Sequence, residues 1–289
     1  MSRVHYLTAS VAGHRVFYRE AGSREQPTVL LLHGYPTSSH MFRGLIPALA
    51  DRYHVIAPDH LGFGRSDAPP VDEFDYSFDA LATVTEQFLD ELGVGDFAMY
   101  VQDYGAPIGW RLALRRPDRI TAIISQSGNA YEAGFVPSFW APIWRYAADL
   151  GPENEAVVRD ALGLDAIRWQ YLHGVPDPTV VSPDTWSHDH ALIQRPGNDA
   201  IQLRLFRDYT SNVELDPQVQ EYFRTSRVPL LAVWGANDEI FGPEGARAFA
   251  DDLPDAEIHL LDAGHFALES DLDTVAGYSR AFLDRTTHR

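Results

Sequence analysis

The chain has no cysteine among its 289 residues, so disulfides, thiolate nucleophiles, Fe–S clusters and Cys-ligated zinc are excluded. Lysine is absent as well: all 23 basic residues are arginine. That removes the lysine of phosphate-binding loops, Schiff-base catalysis and the anchor for pyridoxal phosphate, and no cofactor is expected. Positive charge is scarce. With 41 acidic residues the formal charge is −18, which repels phosphate backbones and anionic lipid, so neither nucleic acid nor a membrane is an expected partner. Long apolar runs are missing too. The start, MSRVHYLTAS, holds none of signal-peptide length, and residues 29–32 are far too few to span a bilayer. A cytoplasmic location is the expectation.

What is present is 45% hydrophobic residues, enough for one large α/β domain with an insertion or for two domains. Short runs rich in Val, Ile, Leu and Tyr at 28–32, 54–57, 97–101, 121–125, 229–234 and 257–261 read as strands of a mostly buried parallel sheet. Helix-period stretches at 38–50, 78–92, 106–115, 245–252 and 268–283 lie between or after them, and strand followed by helix argues βαβ units with helices on both faces. Residues 14–20 read as an antiparallel edge strand. Between about 131 and 227 the alternation stops and the pattern turns helical, which predicts a helical cap (131–227) inserted into a core formed by 1–130 and 228–289. The cap carries Trp140, Trp144, Trp169 and Trp186, four of the six tryptophans, beside five tyrosines. These rings either pack the cap itself or wall an apolar pocket beneath it.

The segment Phe97-Ala-Met-Tyr-Val-Gln-Asp-Tyr-Gly-Ala-Pro-Ile-Gly109 is an apolar strand that ends at Asp103 and turns at once into a helix. Gly105, Ala106 and Gly109 are small where a tight strand-to-helix turn brings backbone against backbone, as a nucleophile elbow requires, with Asp in place of the usual Ser. Alone, Asp103 reads equally well as a helix N-cap. Two other strand ends carry matching groups: Asp238 in Gly-Ala-Asn-Asp238, and His265 in Asp262-Ala-Gly-His265. Ligands of open α/β sheets bind beyond the carboxyl ends of the strands, so these three side chains can meet in one crevice as nucleophile, acid and base. The pair His188 and His190 lacks an evident third ligand and reads as solvated surface; no metal is expected.

With these residues in place, the chain resembles the α/β-hydrolase fold family, in particular its epoxide hydrolase and haloalkane dehalogenase branch. His33-Gly34-Tyr35-Pro36 looks like that branch's oxyanion loop and Asp59-His-Leu-Gly-Phe-Gly-Arg-Ser66 like its glycine-rich turn. The resemblance implies an eight-stranded, mostly parallel sheet flanked by helices. It further implies attack by Asp103 on an sp3 carbon to give a covalent alkyl-enzyme ester, hydrolysed by water that His265 activates with Asp238 behind it. The backbone N–H groups of Tyr35 and Tyr104 would form the oxyanion hole. The leaving group separates two activities. An epoxide needs hydroxyl donors, for which Tyr209 and either Tyr171 or Tyr146 are candidates; a halide needs N–H donors, for which Trp169 is the candidate. The branch's Trp after the nucleophile is replaced by Tyr104, which favours an epoxide hydrolase forming diols over a haloalkane dehalogenase. Fluoroacetate is disfavoured, because the arginines that would bind it fall at Tyr104 and Pro107. A non-catalytic binding protein on this fold is the remaining alternative. The expected partners are a small apolar organic substrate and water, with room left for a homodimer.

Overall fold

The computed structural model describes residues 3–287. Each apolar run becomes a strand, and the chain proceeds β1 (His5–Val11), β2 (His14–Ala21), β3 (Thr28–Leu32), α1 (Leu45–Leu49), β4 (His54–Pro58), α2 (Phe78–Glu91), β5 (Phe97–Gln102), α3 (Gly105–Arg115) and β6 (Ile120–Gln126). Six helices follow with no strand among the described residues: α4 (Pro137–Ala148), α5 (Pro152–Asp160), α6 (Leu164–Leu172), α7 (Pro183–Ile193), α8 (Asn198–Asp208) and α9 (Thr210–Ser226). The chain closes with β7 (Leu230–Gly235), α10 (Pro243–Asp252), β8 (Glu257–Leu261), α11 (Ala267–Ser270) and α12 (Leu272–Thr286).

The strands form one eight-stranded sheet in the order β1-β2-β4-β3-β5-β6-β7-β8. From β4 to β8 all neighbours are parallel, while β2 pairs antiparallel with both β1 and β4. The central strands are apolar on both faces because helices cover both. On β3, Leu30 and Leu32 join Met99, Val101 and Phe88 on one side, and Val29 and Leu31 join Tyr100, Leu45 and Phe282 on the other. That split is the two-residue period of a strand.

Three expectations change. Residues 14–20 do form a strand, but β1 is the edge: its alternate Leu7, Ala9 and Val11 pack inward while Tyr6 stays exposed, a thin apolar pattern that is easily passed over. Residues 38–50 do not make one helix. A 3-10 turn at Ser39–Phe42 and the short α1 replace it, because Gly44 is a poor helix former and Pro47 has no N–H to give. The terminal helix is broken at Asp271, whose backbone (φ −133°, ψ 35°) leaves the helical region between α11 and α12.

Candidate active site

Asp103 follows the last residue of β5 and directly precedes Tyr104, the N-cap of α3. Its φ of 48° is the left-handed region, which costs a non-glycine residue about 1 kcal/mol or more. Such strain is held by its surroundings. Gly105 must be glycine, since a Cβ there would lie 2.1 Å from the Leu32 carbonyl oxygen, and at Gly34 a Cβ would lie 2.3 Å from the Cβ of Asp103. The elbow and the loop after β3 therefore press against each other, backbone to side chain. That approach lets the Tyr35 N–H donate to Asp103 Oδ1 at 2.6 Å, and the Tyr104 N–H bonds the same carboxylate.

The loop is pinned by neutral imidazoles. His33 Nε2 accepts from the His60 N–H at 3.1 Å, which leaves its Nδ1–H to meet the Gly34 carbonyl at 3.0 Å. Burial pushes the His33 pKa down to about 4, so the arrangement holds at neutral pH. Asp59 does the same for the glycine-rich turn, accepting from the N–H groups of Ser39 and Arg65 at 2.7 Å each.

Asp238 and His265 arrive from the ends of β7 and β8. Asp238 Oδ1 accepts from the N–H groups of Ile240 (2.8 Å) and Phe241 (3.1 Å), and Oδ2 accepts from the Ser127 hydroxyl at 2.8 Å and faces His265 Nδ1 at 2.9 Å. A carboxylate so placed fixes the tautomer: Nδ1 carries the proton and Nε2 the lone pair. Gln102, absent from the sequence-based candidates, donates its side-chain amide to that Nε2 at 2.9 Å. Its only sequence signal is position, immediately before Asp103.

Burial and charge set the protonation states. Desolvation pushes the Asp103 pKa up, against the pull of His265 and the Tyr35 and Tyr104 N–H groups, to about 6. For His265, burial pushes down, but the charge and hydrogen bond of Asp238, with Asp103 behind, outweigh it and leave the pKa raised. The site is closed, with Asp103 and His265 only 5% and 3% exposed.

The aromatic candidates divide. Tyr209, 2% exposed, lies with its ring 5.8 Å from that of Tyr104 and 4.4 Å from that of Trp140. The Tyr104 hydroxyl is buried and has no hydrogen-bond partner among the described residues. Tyr171 does not serve as expected. Its hydroxyl is donated to the Asp189 carboxylate and its ring stacks on Phe266 at 4.2 Å. Nor does Trp169, which is 37% exposed and stacked on His173 at 4.7 Å. The cause is helical phase: on α6, Ile167 and Tyr171 share the buried face, and Trp169, two residues from each, points the other way. Tyr146, on α4, feels Glu155 and Arg159 first after burial rather than Asp103.

His188 pairs with His40 rather than His190. Their rings lie 4.4 Å apart, and together with Asp189 they bring ligand-type atoms within 4.8 Å of one another. Burial and the nearby Arg43, followed by His188, Arg19 and Arg65, push His40 down to about 3.

The alpha/beta hydrolase fold model matches residues 27–272, and the chain belongs to that family. An uncharacterized hydrolase of Saccharomyces cerevisiae is 46% identical over 91% of both chains. A haloalkane dehalogenase of Mycolicibacterium paratuberculosis is 35% identical over 82% of this chain and 77% of its own length. Among solved structures, an epoxide hydrolase from Vigna radiata superposes with a TM-score of 0.77 at 23% identity, covering 98% of each chain, a likeness of fold. No helix among the described residues is long and apolar enough to cross a membrane.

Proposed function

We propose that this protein opens epoxides to diols, with Asp103 as nucleophile, His265 as general base and Asp238 as its orienting acid, beneath a cap formed by 131–227. An oxygen of Asp103 attacks a ring carbon as the ring C–O bond breaks, and the ring oxygen takes a proton from a phenol, leaving a hydroxyalkyl ester. Water then adds to the ester carbonyl while its proton passes to His265 Nε2. The oxyanion rests on the Tyr35 and Tyr104 N–H groups until the bond between the Asp103 acyl carbon and the ester oxygen breaks; the departing alkoxide takes the carboxyl proton to complete the diol, and the proton held by His265 returns to the phenolate, restoring the carboxylate, the phenol and the neutral imidazole. The Gln102 amide, which occupies the Nε2 lone pair in the resting enzyme, must yield to that water.

The observation that carries the reading is the supply of leaving-group donors. The Tyr104 hydroxyl is buried and uncommitted, with the Tyr209 phenol beside it. The indole nearest Tyr209, that of Trp140, has already given its N–H to the Ile240 carbonyl at 2.8 Å. Hydroxyls suit a developing alkoxide, whereas halide binding draws on N–H groups. Haloalkane dehalogenation is the second reading, supported by the 35% identical relative of that name. A paired assay separates them: the purified protein is offered epoxides and haloalkanes, with diol and halide measured independently. Diol without halide supports the first reading, and halide without diol replaces it.

A further inference from the structure

The catalytic crevice is closed, yet a cavity of about 620 Å³ lies beside it between α4 and α9. Each helix turns one face to it. Pro137, Trp140, Ala141 and Trp144 recur at the spacing of a single helical stripe on α4, and Thr210, Val213 and Glu214 do so on α9. The walls are apolar, and the three aromatic residues in them all touch one ring: Trp140, Trp144 and Phe135 lie 4.4, 6.0 and 6.1 Å from Tyr209. An occupant of the cavity is therefore one side chain away from the phenol that faces Tyr104.

Charge at the mouth is of one sign. Glu132 and Glu214 line it, both exposed, and neither carboxylate has a hydrogen bond or ion pair with another described residue. None of the arginines lines the cavity. Arg111, on the neighbouring α3, is committed to Asn212 Oδ1 at 2.7 Å, the Ser211 hydroxyl at 3.0 Å and the Pro107 carbonyl at 3.1 Å. A ligand with an apolar body and a cationic end meets complementary surface along its whole length here, and a carboxylate meets only repulsion.

We propose that the α4–α9 cavity binds the non-reacting part of the substrate, and that its preferred occupant is an apolar chain ending in a protonated amine. This rests on the epoxide-opening reading only for the chemistry at the far end. Binding is therefore tested without turnover, by calorimetric titration of 4-phenylbutylamine, 4-phenylbutanol and 4-phenylbutyrate into the intact protein. The amine should bind about fivefold to thirtyfold more tightly than the alcohol, the range two partly screened ion pairs supply, and the acid more weakly than the alcohol. The double variant Glu132→Gln/Glu214→Gln should bring amine and alcohol level, and raising the salt should do the same in wild type. Ala141→Trp, which fills the cavity, should abolish binding of all three at an unchanged melting temperature; if that variant unfolds, the charge-neutral double variant still decides. An amine that binds no better than the alcohol, or whose advantage survives the double variant, overturns the proposal. A separate arm compares diol formation from epoxides carrying aminoalkyl and carboxyalkyl tails. Diol from neither counts against the epoxide reading and leaves the titration to judge the cavity. Diol from both at equal kcat/KM overturns the cavity's role in substrate choice.

Discussion

Tyr104→Phe should separate stability from activity. The ring is 3% exposed and packs edge-on against Phe78 at 4.9 Å, with Tyr209 and Tyr35 at 5.8 and 5.9 Å, contacts that phenylalanine keeps. Only the hydroxyl goes, and it has no partner among the described residues. An unsatisfied buried hydroxyl costs about 1 to 3 kcal/mol, and its loss leaves a void of atomic size, so unfolding free energy should stay level or rise by about 1 kcal/mol. Catalysis moves the other way. A donor aimed at developing charge in a dry site contributes about 2 to 4 kcal/mol to the transition state, so alkylation by an epoxide should slow roughly 30-fold to 1000-fold. Ester hydrolysis should change far less, because the Tyr104 backbone N–H, the proposed oxyanion donor, is untouched. Urea unfolding gives the first quantity and rapid-quench measurement of the alkylation burst the second. Alkylation within threefold of wild type, or a stability loss above about 1 kcal/mol, would show that the hydroxyl has another use and refute the assignment.

His265→Gln should trap the ester: a general base contributes about 100-fold to 10,000-fold, so intact-protein mass spectrometry should find a stoichiometric adduct on the peptide holding Asp103. Asp238→Asn should slow hydrolysis by about 100-fold or more while sparing the burst, since it disturbs only the tautomer and charge support of His265; equal loss of both steps in pre-steady-state kinetics would place Asp238 elsewhere in the mechanism. In single-turnover pH profiles both steps fail on the acid side, because protonation removes the Asp103 nucleophile and the His265 lone pair. Half of the alkylation rate should be lost near pH 6, and the hydrolysis limb should lie higher, above the ordinary histidine value of about 6.5. Gly34→Ala should abolish alkylation, its new Cβ falling 2.3 Å from the Asp103 Cβ, and a crystal structure should show the loop displaced.

The core was legible because the parallel strands are short, mostly apolar runs bounded by turn residues, and the expected bounds of Thr28–Leu32 and Glu257–Leu261 coincide with those of β3 and β8. Legible, too, was the convergence of Asp103, Asp238 and His265, since a parallel sheet carries every strand end to one edge whatever the sequence gap. Helical phase was not. Arg168-Trp-Gln-Tyr171 looks rich in donors as a string, but only the rotation of α6 decides that Tyr171 turns toward Asp189 and Trp169 toward solvent. Side-chain commitments were equally hidden. Nothing in the sequence tells that Trp140 spends its N–H on Ile240, that the Tyr104 hydroxyl has no partner among the described residues or that Gln102 sits on the His265 imidazole.

Burial explains how one closed crevice can hold the Asp103 carboxylate and the Tyr104 and Tyr209 phenols in the states the proposed reaction needs. Desolvation disfavours whichever form is charged, so it lifts Asp103 to about 6 and lifts the Tyr104 and Tyr209 phenols well above their ordinary value of 10. The carboxylate also receives two backbone N–H bonds and the attraction of His265, which keep its rise modest; the charge of Asp103 pushes both phenols further up. A wide interval opens in which Asp103 is ionised and both phenols keep their protons. A thiolate or lysine nucleophile in the same dry pocket would need its own base or a depressed pKa. An aspartate needs neither, so the proposed covalent route is open to a chain without cysteine or lysine.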